Sequence, residues 1–235
     1  MSLKTEGDDA MLNMKGMRFP LEIILVCIRW YAAYALSYRN LEEMMQERGV
    51  FVDHSTINRW AIKFLPLLEK AFRKHKRQVG GSWRMDETYI KVAGEWKYLY
   101  RAVDKEDATV DFLLRAKRDK AAAKAYFKKA MRQNGEPEKV TIDKSGANKA
   151  AMDGINKDRE VPIEVRQIKY LNNIVEQDHR AVKRITKPML GFKSFWAAKA
   201  VLAGIELMHM IRKGQLSAEK GKDISFAEQF YALAA

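Results

Sequence analysis

The chain has 235 residues, 47% apolar and 31% charged, with one cysteine, which excludes an intramolecular disulfide and a cysteine-based zinc site. No apolar run approaches the roughly 20 residues of a membrane span, and the segment MSLKTEGDDA is unlike a signal peptide, so we expect a cytoplasmic protein without membrane contact. Lys and Arg number 43 against 30 Asp and Glu. The net charge of +13 favours nucleic acid as the partner over the alternative of a merely basic globular protein.

Residues 16–78 predict an all-α domain. Apolar residues recur at helical spacing from Pro20, Ser37 is expected to cap a second helix that stops at Gly49, and Asp53 is expected to cap a third. Two short helices joined by RGVFVD resemble a helix-turn-helix, whose second helix enters the major groove of DNA, although a plain helical hairpin is the alternative. The outward residues expected to contact DNA are Thr56, Asn58, Arg59 and Lys63.

Residues 79–216 predict a mixed α/β domain, and the linker candidate Gly80-Gly81 marks the boundary near residue 78 at its start. The segment SWRMDETYIKVAGEWKYLYRAVD predicts a β-hairpin over 82–104. The later elements are a strand at 108–116, a helix at 119–135, a strand at 138–143, a helix at 145–157, a strand at 163–170, a helix from Asn172 or Asn173 and a helix at 194–214. This order resembles the RNase H-like fold. Residues 217–235 form a C-terminal tail without a recognisable motif.

Three acids stand at marked places on this outline. Asp86 interrupts the first strand, where Asp is disfavoured, Asp143 ends the fourth, and Glu176 lies in the first turns of the following helix. If strands one and four are neighbours, these hard oxygen ligands converge and suit Mg²⁺, with Mn²⁺ as a substitute, for a two-metal phosphoryl transfer. The alternatives are a solvated Asp86, an Asp143 that caps the next helix, and a capping box between Asn173 and Glu176. Strand alternation is expected to place Glu87 on the face opposite Asp86.

The helix that carries Glu176 has one basic face, which we define as Arg180, Lys183, Arg184 and Lys187. These residues fall within roughly 80° of Glu176 at 100° per residue. Beside a metal site, Arg180, Lys183 and Arg184 are expected to hold the phosphate backbone of a DNA end. Intrahelical ion pairs are the alternative.

Two polar residues fall in apolar surroundings. Asp178 lies in the apolar sector of its helix, and we expect it to pair with a nearby base such as Arg166 or His179. His209, within the last helix, is interpreted as a core or interface histidine and not as a catalytic one.

Five segments carry a family resemblance. MDETYIKVAGEWKYLYRAVD, TIDKSGAN and RQIKYLNNIVEQDHRAVKR, with GFKS and IRKGQ, occur in this order. They resemble the DDE transposases of insertion-sequence family six, and SYRNLEEMMQERGVFVDHSTINRW resembles their helix-turn-helix. The likeness covers roughly residues 16–216. The 32 residues between Asp143 and Glu176 are slightly fewer than is usual in the family. We place the shortening in region 150–162, where loops tolerate deletion.

The resemblance implies a function and roles for residues. Asp86, Asp143 and Glu176 correspond to the catalytic, metal-binding triad, and Lys183 to the family's basic residue near the transferred end. It implies binding to terminal inverted repeats and target DNA at the nucleoid, with metal-dependent strand cleavage and transfer by 3′-OH attack in a homodimer or larger assembly. The alternatives are an RNase H-like nuclease or resolvase, in which water is the nucleophile, and a non-catalytic, domesticated DNA-binding protein.

Overall fold

The computed structural model describes residues 12, 13, 15–168, 172–217 and 224–234. The helices are α1 (Leu21–Ala33), α2 (Tyr38–Gln46), α3 (His54–His75), α4 (Lys120–Asn134), α5 (Gly146–Asn156), α6 (Asn173–Thr186), α7 (Phe195–Arg212) and α8 (Phe226–Ala232). The strands are β1 (Ser82–Val92), β2 (Glu95–Val103), β3 (Thr109–Arg115), β4 (Lys139–Ile142) and β5 (Glu164–Gln167). A short 3₁₀ helix at Lys187–Met189 follows α6. Among these residues, no helix combines the length and apolar character that crossing a bilayer requires.

The five strands form one mixed sheet in the order β3-β2-β1-β4-β5. β1, β2 and β3 are antiparallel neighbours, whereas β4 runs parallel to β1 and β5 parallel to β4. Three antiparallel strands followed by two parallel strands, with helices on both faces, confirm the predicted RNase H-like α/β architecture. β5 is shorter than the predicted strand, and residues 169 and 170 of that prediction lie outside the described residues.

The sheet separates two apolar cores. On one face, Trp83, Met85 and Tyr100 pack with α4 and α5. On the other face, Ile90 and Leu99 belong to a larger core that contains residues of α1, α2, α3, α6, α7 and α8. Alternation along β1 thus sends successive residues into different cores, which determines the face on which each acidic side chain lies.

The N-terminal helices begin where the sequence predicts. The Ser37 side chain accepts the backbone N–H of Asn40, and the Asp53 side chain accepts those of Ser55 and Thr56. The description of two short helices is wrong for α3, because its apolar stripe continues and packs along α7. The helix therefore extends from the DNA-binding candidates at its start into the larger of the two cores.

The C-terminal tail contains a helix that the sequence analysis did not anticipate, although residues 218–223 and 235 of the tail lie outside the described part. The side chains of Ser225 and Glu228 form a capping box at the start of α8. Phe230 is buried against the core, and the hydroxyl of Tyr231 accepts Arg29 Nε at 3.0 Å. The Ser-x-x-Glu spacing is the signal that predicts this helix.

Candidate active site

Asp86 and Asp143 meet because β1 and β4 run in the same direction. The two strands pair only from Ser82 to Arg84 on the β1 side, and β4 ends at Ile142. Asp143 therefore leaves the sheet beside the middle of β1, where Asp86 is no longer flanked by a strand on that side. One carboxylate oxygen from each of Asp86, Glu87 and Asp143 lies within 4.8 Å of the other two. We call these three residues the acid cluster.

Glu87 joins the acid cluster from the other side of the sheet. As alternation predicts, it lies on the face of α4, where Arg118 Nη2 contacts Glu87 Oε2 at 3.3 Å and Asp143 Oδ2 at 2.9 Å. Burial raises the pKa of the Glu87 carboxyl, and the charge of Arg118 offsets part of this rise. Strand alternation alone predicts no role for Glu87, since it places this residue away from Asp86 and does not reveal that β4 ends here. Its position next to Asp86 was the available signal.

Asp143 is held by three groups at the start of α5 and α4. Its Oδ1 accepts the backbone N–H of Ser145 at 3.0 Å and the Asn148 side-chain amide at 3.1 Å, while Arg118 contacts Oδ2. The capping alternative is therefore partly realised, because the carboxylate orders the chain that enters α5. The same hydrogen bonds fix its direction toward Asp86.

Asp86 is the acid whose charge is least compensated. Burial raises its pKa to about 7, and the negative charges of Glu87, Asp143 and Glu176 add to the effect. His179 Nε2 lies 4.0 Å from Asp86 Oδ2. Burial, with the positive charges of Arg101 and Lys183, lowers the His179 pKa to about 3, so this imidazole is neutral at physiological pH. Within the described residues no Lys or Arg forms an ion pair with Asp86, so a cation at this position would meet an uncompensated carboxylate.

Glu176 faces this region from the first turn of α6. The helix starts at Asn173, and its N-cap residue, Asn172, makes no capping hydrogen bond through its side chain, so the capping-box alternative is not realised. Glu176 is exposed and outside the acid cluster as defined, yet near enough for its charge to raise the Asp86 pKa. The structure thus brings Asp86 and Asp143 together and places Glu176 near them.

The basic face of α6 is exposed along its whole length. None of Arg180, Lys183, Arg184 and Lys187 has a carboxylate partner within 4.0 Å in the part of the chain that the structure describes, so the intrahelical ion pairs of the alternative interpretation are not observed there. Val175, Val182 and Ile185 bury the opposite side of the helix. The packing of these apolar residues turns the cations outward, beside Glu176.

Comparison with known proteins decides the family. A family model described as a DDE domain matches residues 80–215. The chain is 40% identical over 198 residues to the transposase for insertion sequence-like element IS431mec of Staphylococcus aureus, covering 83% of this chain and 87% of that protein. The chain belongs to the DDE transposases of insertion-sequence family six. It is an enzyme that cleaves and transfers DNA strands, and its family uses a divalent metal.

The comparisons also include a second relative and a solved structure. The transposase is also 40% identical over 198 residues to the transposase for insertion sequence element IS257 in transposon Tn4003 of Staphylococcus aureus, with the same coverage of 83% and 87%. Among solved structures, the HTLV-2 integrase catalytic core domain in complex with magnesium is 15% identical and aligns with a TM-score of 0.46 over 64% of this chain and 97% of that one.

A buried ion network lies behind the site of the transposase. The fully buried Arg101, opposite Asp86 in the β1–β2 register, donates to both carboxylate oxygens of Glu206 at 2.6 and 2.9 Å and contacts Asp178 at 2.7 Å. Asp178 also contacts Lys213 and the imidazole of His209. The predicted pairing of Asp178 with Arg166 or His179 is therefore wrong, because the acid points across to β2 and α7. His209 is an interface histidine, as interpreted.

The DNA-binding candidates of α3 lie on its first three turns. Arg59 and Lys63 are exposed, while Thr56 and Asn58 are half-buried. Arg59 Nη2 donates to Thr56 Oγ1 at 2.6 Å. Their role in contacting DNA stays a prediction.

Proposed function

We propose that this transposase cuts and joins DNA at a site formed by Asp86, Asp143 and Glu176, and that Lys183 and its neighbours hold the DNA end there. The observation that carries the proposal is the meeting of Asp86 and Asp143 where β4 ends, with Glu176 facing them from α6. The reaction class is strand transfer: a DNA 3′-hydroxyl bonds to a target phosphorus, the existing P–O3′ bond breaks, and the released 3′ oxygen takes up a proton.

The residues fit a divalent cation of the Mg²⁺ type, with Mn²⁺ as a substitute. Carboxylate oxygens are the ligands that Mg²⁺ prefers, and Asp86 lacks the cationic partner that Arg118 supplies to Glu87 and Asp143. Asp86, Asp143 and Glu176 would hold two such ions, which when bound activate the attacking oxygen and stabilise the leaving one. Glu87, with 3% of its side chain exposed, supports the site by keeping Arg118 against Asp143.

The protein itself supplies orientation. The basic face of α6 follows Glu176 along one side of the helix, so a phosphate chain lying over it passes the carboxylates. Hydrogen bonds to Asp143 and the packing of β1 hold the acids before DNA arrives, which is the preorganisation that phosphoryl transfer requires.

End recognition is assigned to α2 and α3. Thr56, Asn58, Arg59 and Lys63 lie near the start of α3, as a recognition helix requires, and they would read the terminal inverted repeats. The two ends of one element must be held together for transfer, so the active form is expected to be a homodimer or a larger assembly.

A strand-transfer assay on a labelled element end tests the proposal. The wild type should join the end to target DNA with Mg²⁺ or Mn²⁺ and lose the activity in excess chelator. Asp86→Asn, Asp143→Asn and Glu176→Gln should fall to background, and Glu87→Gln should keep part of the activity because Glu87 acts through Arg118. Asp153→Asn is the matched control, since it removes an exposed carboxylate on α5 and should transfer normally.

The products separate the proposal from its rival. Joined strands support transposition, whereas hydrolysis products alone would indicate a nuclease or resolvase. Full activity of Glu176→Gln would contradict the assignment of the third carboxylate.

A further inference from the structure

An aromatic pocket of about 650 Å³ opens between β1, β2 and the C-terminal end of α6. We define it by Tyr89, Trp96, Lys183, Lys187 and Leu190, which contribute to its lining. Its volume falls within the roughly 300–1,000 Å³ typical of small-ligand sites. It wraps around the part of β1 beyond Arg84, where β4 no longer pairs with the strand.

The pocket wall is built by a turn after α6 that docks on β1. Phe192 donates its N–H to the carbonyl of Lys91 at 2.9 Å, and its own carbonyl accepts Ala93 N–H at 2.7 Å. Gly191 has φ +102°, and a Cβ there would lie 3.0 Å from the Lys91 carbonyl oxygen. These hydrogen bonds fix the GFKS segment against the hairpin. The pocket is therefore preformed by packed elements and is not a gap between independent loops.

Large apolar side chains are exposed at this pocket. Trp96 is 61%, Tyr89 50% and Leu190 87% exposed. The rings of Tyr89 and Trp96 stand edge to face with centroids 6.4 Å apart, and Tyr89 also contacts Tyr98 at 5.4 Å. Grouped exposed aromatics on a protein surface mark a binding site and not a stable solvated surface.

The charged residues that line the pocket indicate the class of ligand that it binds. Lys91, Lys183 and Lys187 line the same pocket, and within the described residues the pocket has no acidic lining residue. Flat rings bordered by ammonium groups suit a group that is planar and attached to an anionic backbone, which is the chemistry of a nucleotide.

The position matches the path of a DNA end. Lys183 belongs both to this pocket and to the basic face of α6 that follows Glu176. Tyr89 lies on β1 three residues beyond Asp86, and it lines the pocket together with Lys183 at the edge where β4 no longer pairs. A strand whose phosphates cross the basic face therefore brings its neighbouring bases to the aromatic side chains.

We propose that this pocket binds an unpaired nucleobase of the DNA end by stacking on Trp96 and Tyr89, with Lys183 and Lys187 on the flanking phosphates. The inference rests on the proposed function, because it assumes that the α6 face carries DNA. A base withdrawn from the duplex opens the end next to the carboxylates and anchors it at a defined distance from them.

A measurement of DNA binding, under conditions that prevent strand cleavage and transfer, tests this site. The probe is a DNA duplex with a short unpaired adenine tail, compared with the same duplex whose tail is abasic, both in excess chelator. Wild-type protein should prefer the adenine tail by roughly 5- to 100-fold for one stacked base. Trp96→Ala should lose most of this preference, and Trp96→Phe should keep much of it because a ring remains. Trp196→Ala is the matched control, since Trp196 is 66% exposed on α7 outside this pocket, and it should keep the full preference.

Each other outcome overturns the site. Equal affinity of the wild type for both tails, or an unchanged preference in Trp96→Ala, would show that the pocket does not bind a base. Sedimentation of the same variants covers the protein alternative: if Trp96→Ala dissociates an oligomer and keeps its base preference, the pocket is a subunit interface. Failure of the proposed function would appear instead as a wild type that lacks metal-dependent strand transfer, whatever its preference between tails.

Discussion

Asp86 is a carboxylate in surroundings that disfavour its charge. It lies in a strand among apolar and aromatic residues, and 20% of its side chain is exposed. Carboxylate oxygens of Glu87 and Asp143 lie within 4.8 Å of an oxygen of Asp86. The buried charge near it, Arg101, is already paired with Glu206 and Asp178. A strand without functional constraint would carry an apolar residue here. The unfavourable free energy of burying the Asp86 carboxylate therefore indicates that this carboxylate has a functional role.

The first prediction concerns the stability of metal-free protein. The folded-state pKa of Asp86, about 7, lies above that of an unfolded aspartate, so the wild type loses stability as pH rises from about 4 to 7. Asp86→Asn cannot ionise, and its free energy of unfolding should exceed the wild-type value by about 2–4 kcal/mol at pH 8, because a tenfold change in an ionisation constant is about 1.4 kcal/mol.

Denaturant unfolding at pH 4 and pH 8 checks this expectation, with Asp153→Asn as the exposed control. The excess free energy of unfolding of Asp86→Asn over the wild type should be near zero at pH 4. At pH 8 this excess should shrink when Mg²⁺ is added. A gain of equal size at both values would show that ionisation of Asp86 is not its cause.

Lys183 provides the second prediction at the residue scale. Lys183→Ala should weaken binding of a cleaved DNA end and lower the slope of log affinity against log salt by about 0.9 for the lost phosphate contact. Its Mg²⁺ affinity, measured by calorimetry, should match the wild type, since an ammonium group does not bind a cation. Lys105→Ala, an exposed cation in the β2–β3 loop, is the control. A collapse of Mg²⁺ affinity in Lys183→Ala would contradict the assignment.

At the scale of secondary-structure elements, the close packing of α3 against α7 depends on a glycine in α7. α7 is nearly surrounded by other elements, and Leu65 of α3 packs against it at Gly204. A Cβ on Gly204 would lie 2.5–2.8 Å from three side-chain carbons of the fully buried Leu65. The helix therefore uses a residue of low helix propensity, since a larger one would push α3 away.

Two glycine substitutions test this packing. Gly204→Ala should destabilise the protein by about 1–3 kcal/mol, because Leu65 must move in a filled core. Gly154→Ala, in the last turn of α5 with its nearest neighbour atom 3.7 Å away, should instead stabilise by about 0.5–1 kcal/mol through helix propensity. Thermal unfolding of both variants measures the difference, and a Gly204→Ala protein as stable as Gly154→Ala would contradict the close approach.

The Arg101 network fixes α6 relative to the sheet and α7. Its three main groups, Arg101, Asp178 and Glu206, come from β2, α6 and α7, and each has at most a 2% exposed side chain. A buried ion network does not by itself stabilise a fold, but loss of one partner leaves a buried charge unpaired. Asp178 is two residues from Glu176 on α6, so the network also restrains the helix that carries Glu176.

A double-mutant cycle tests the network. Glu206→Leu should destabilise by about 3–5 kcal/mol, the range for one removed partner of a buried pair. The double variant Arg101→Leu with Glu206→Leu should recover a substantial part of that loss, since the guanidinium that Glu206 no longer neutralises is also gone, while Asp178 keeps His209 and Lys213. Unfolding free energies of the single and double variants decide; strictly additive losses would mean that the two residues do not interact.

Across the whole molecule, the N-terminal helices share one core with the catalytic sheet. Residues of α1 and α3 pack on α7, and the same apolar cluster reaches Ile90 and Leu99 of the sheet. The division at residue 78 into a DNA-binding and a catalytic domain stays a prediction about function, because packing continues across it.

Separation of function is the prediction at this scale. Replacing both Arg59 and Lys63 by Ala should weaken binding to the terminal repeat, and a lost bidentate base contact should cost about 1–3 kcal/mol of discrimination at one position. Asp86→Asn should keep repeat binding and lose strand transfer. Gel shift and strand transfer on the same purified variants measure both properties. Normal repeat binding by the Arg59 and Lys63 variant, or loss of binding in a folded Asp86→Asn protein, would refute the two-domain assignment.

The sequence by itself determined most of the elements, because local rules govern them; helix α8 and the full length of α3 were not predicted. Periodicity predicted the helices, Ser37 and Asp53 marked their starts, and the order of strands and helices predicted the RNase H-like sheet that the structure confirms. The misplaced Asp86 and the quoted motifs also indicate a catalytic site and the family. These signals are readable because caps, strand alternation and a strand-breaking acid depend on neighbours in the chain.

Only the tertiary structure decided which distant groups meet. Glu87 joins the acids because β4 ends early, Asp178 pairs with Arg101 because β2 and α7 converge behind the site, and the GFKS turn docks on β1 to form the aromatic pocket. None of these contacts follows from spacing along the chain, since each joins segments whose separation is set by packing. Periodicity identifies the face of an element on which a residue lies. The tertiary fold determines which distant residue packs against that face.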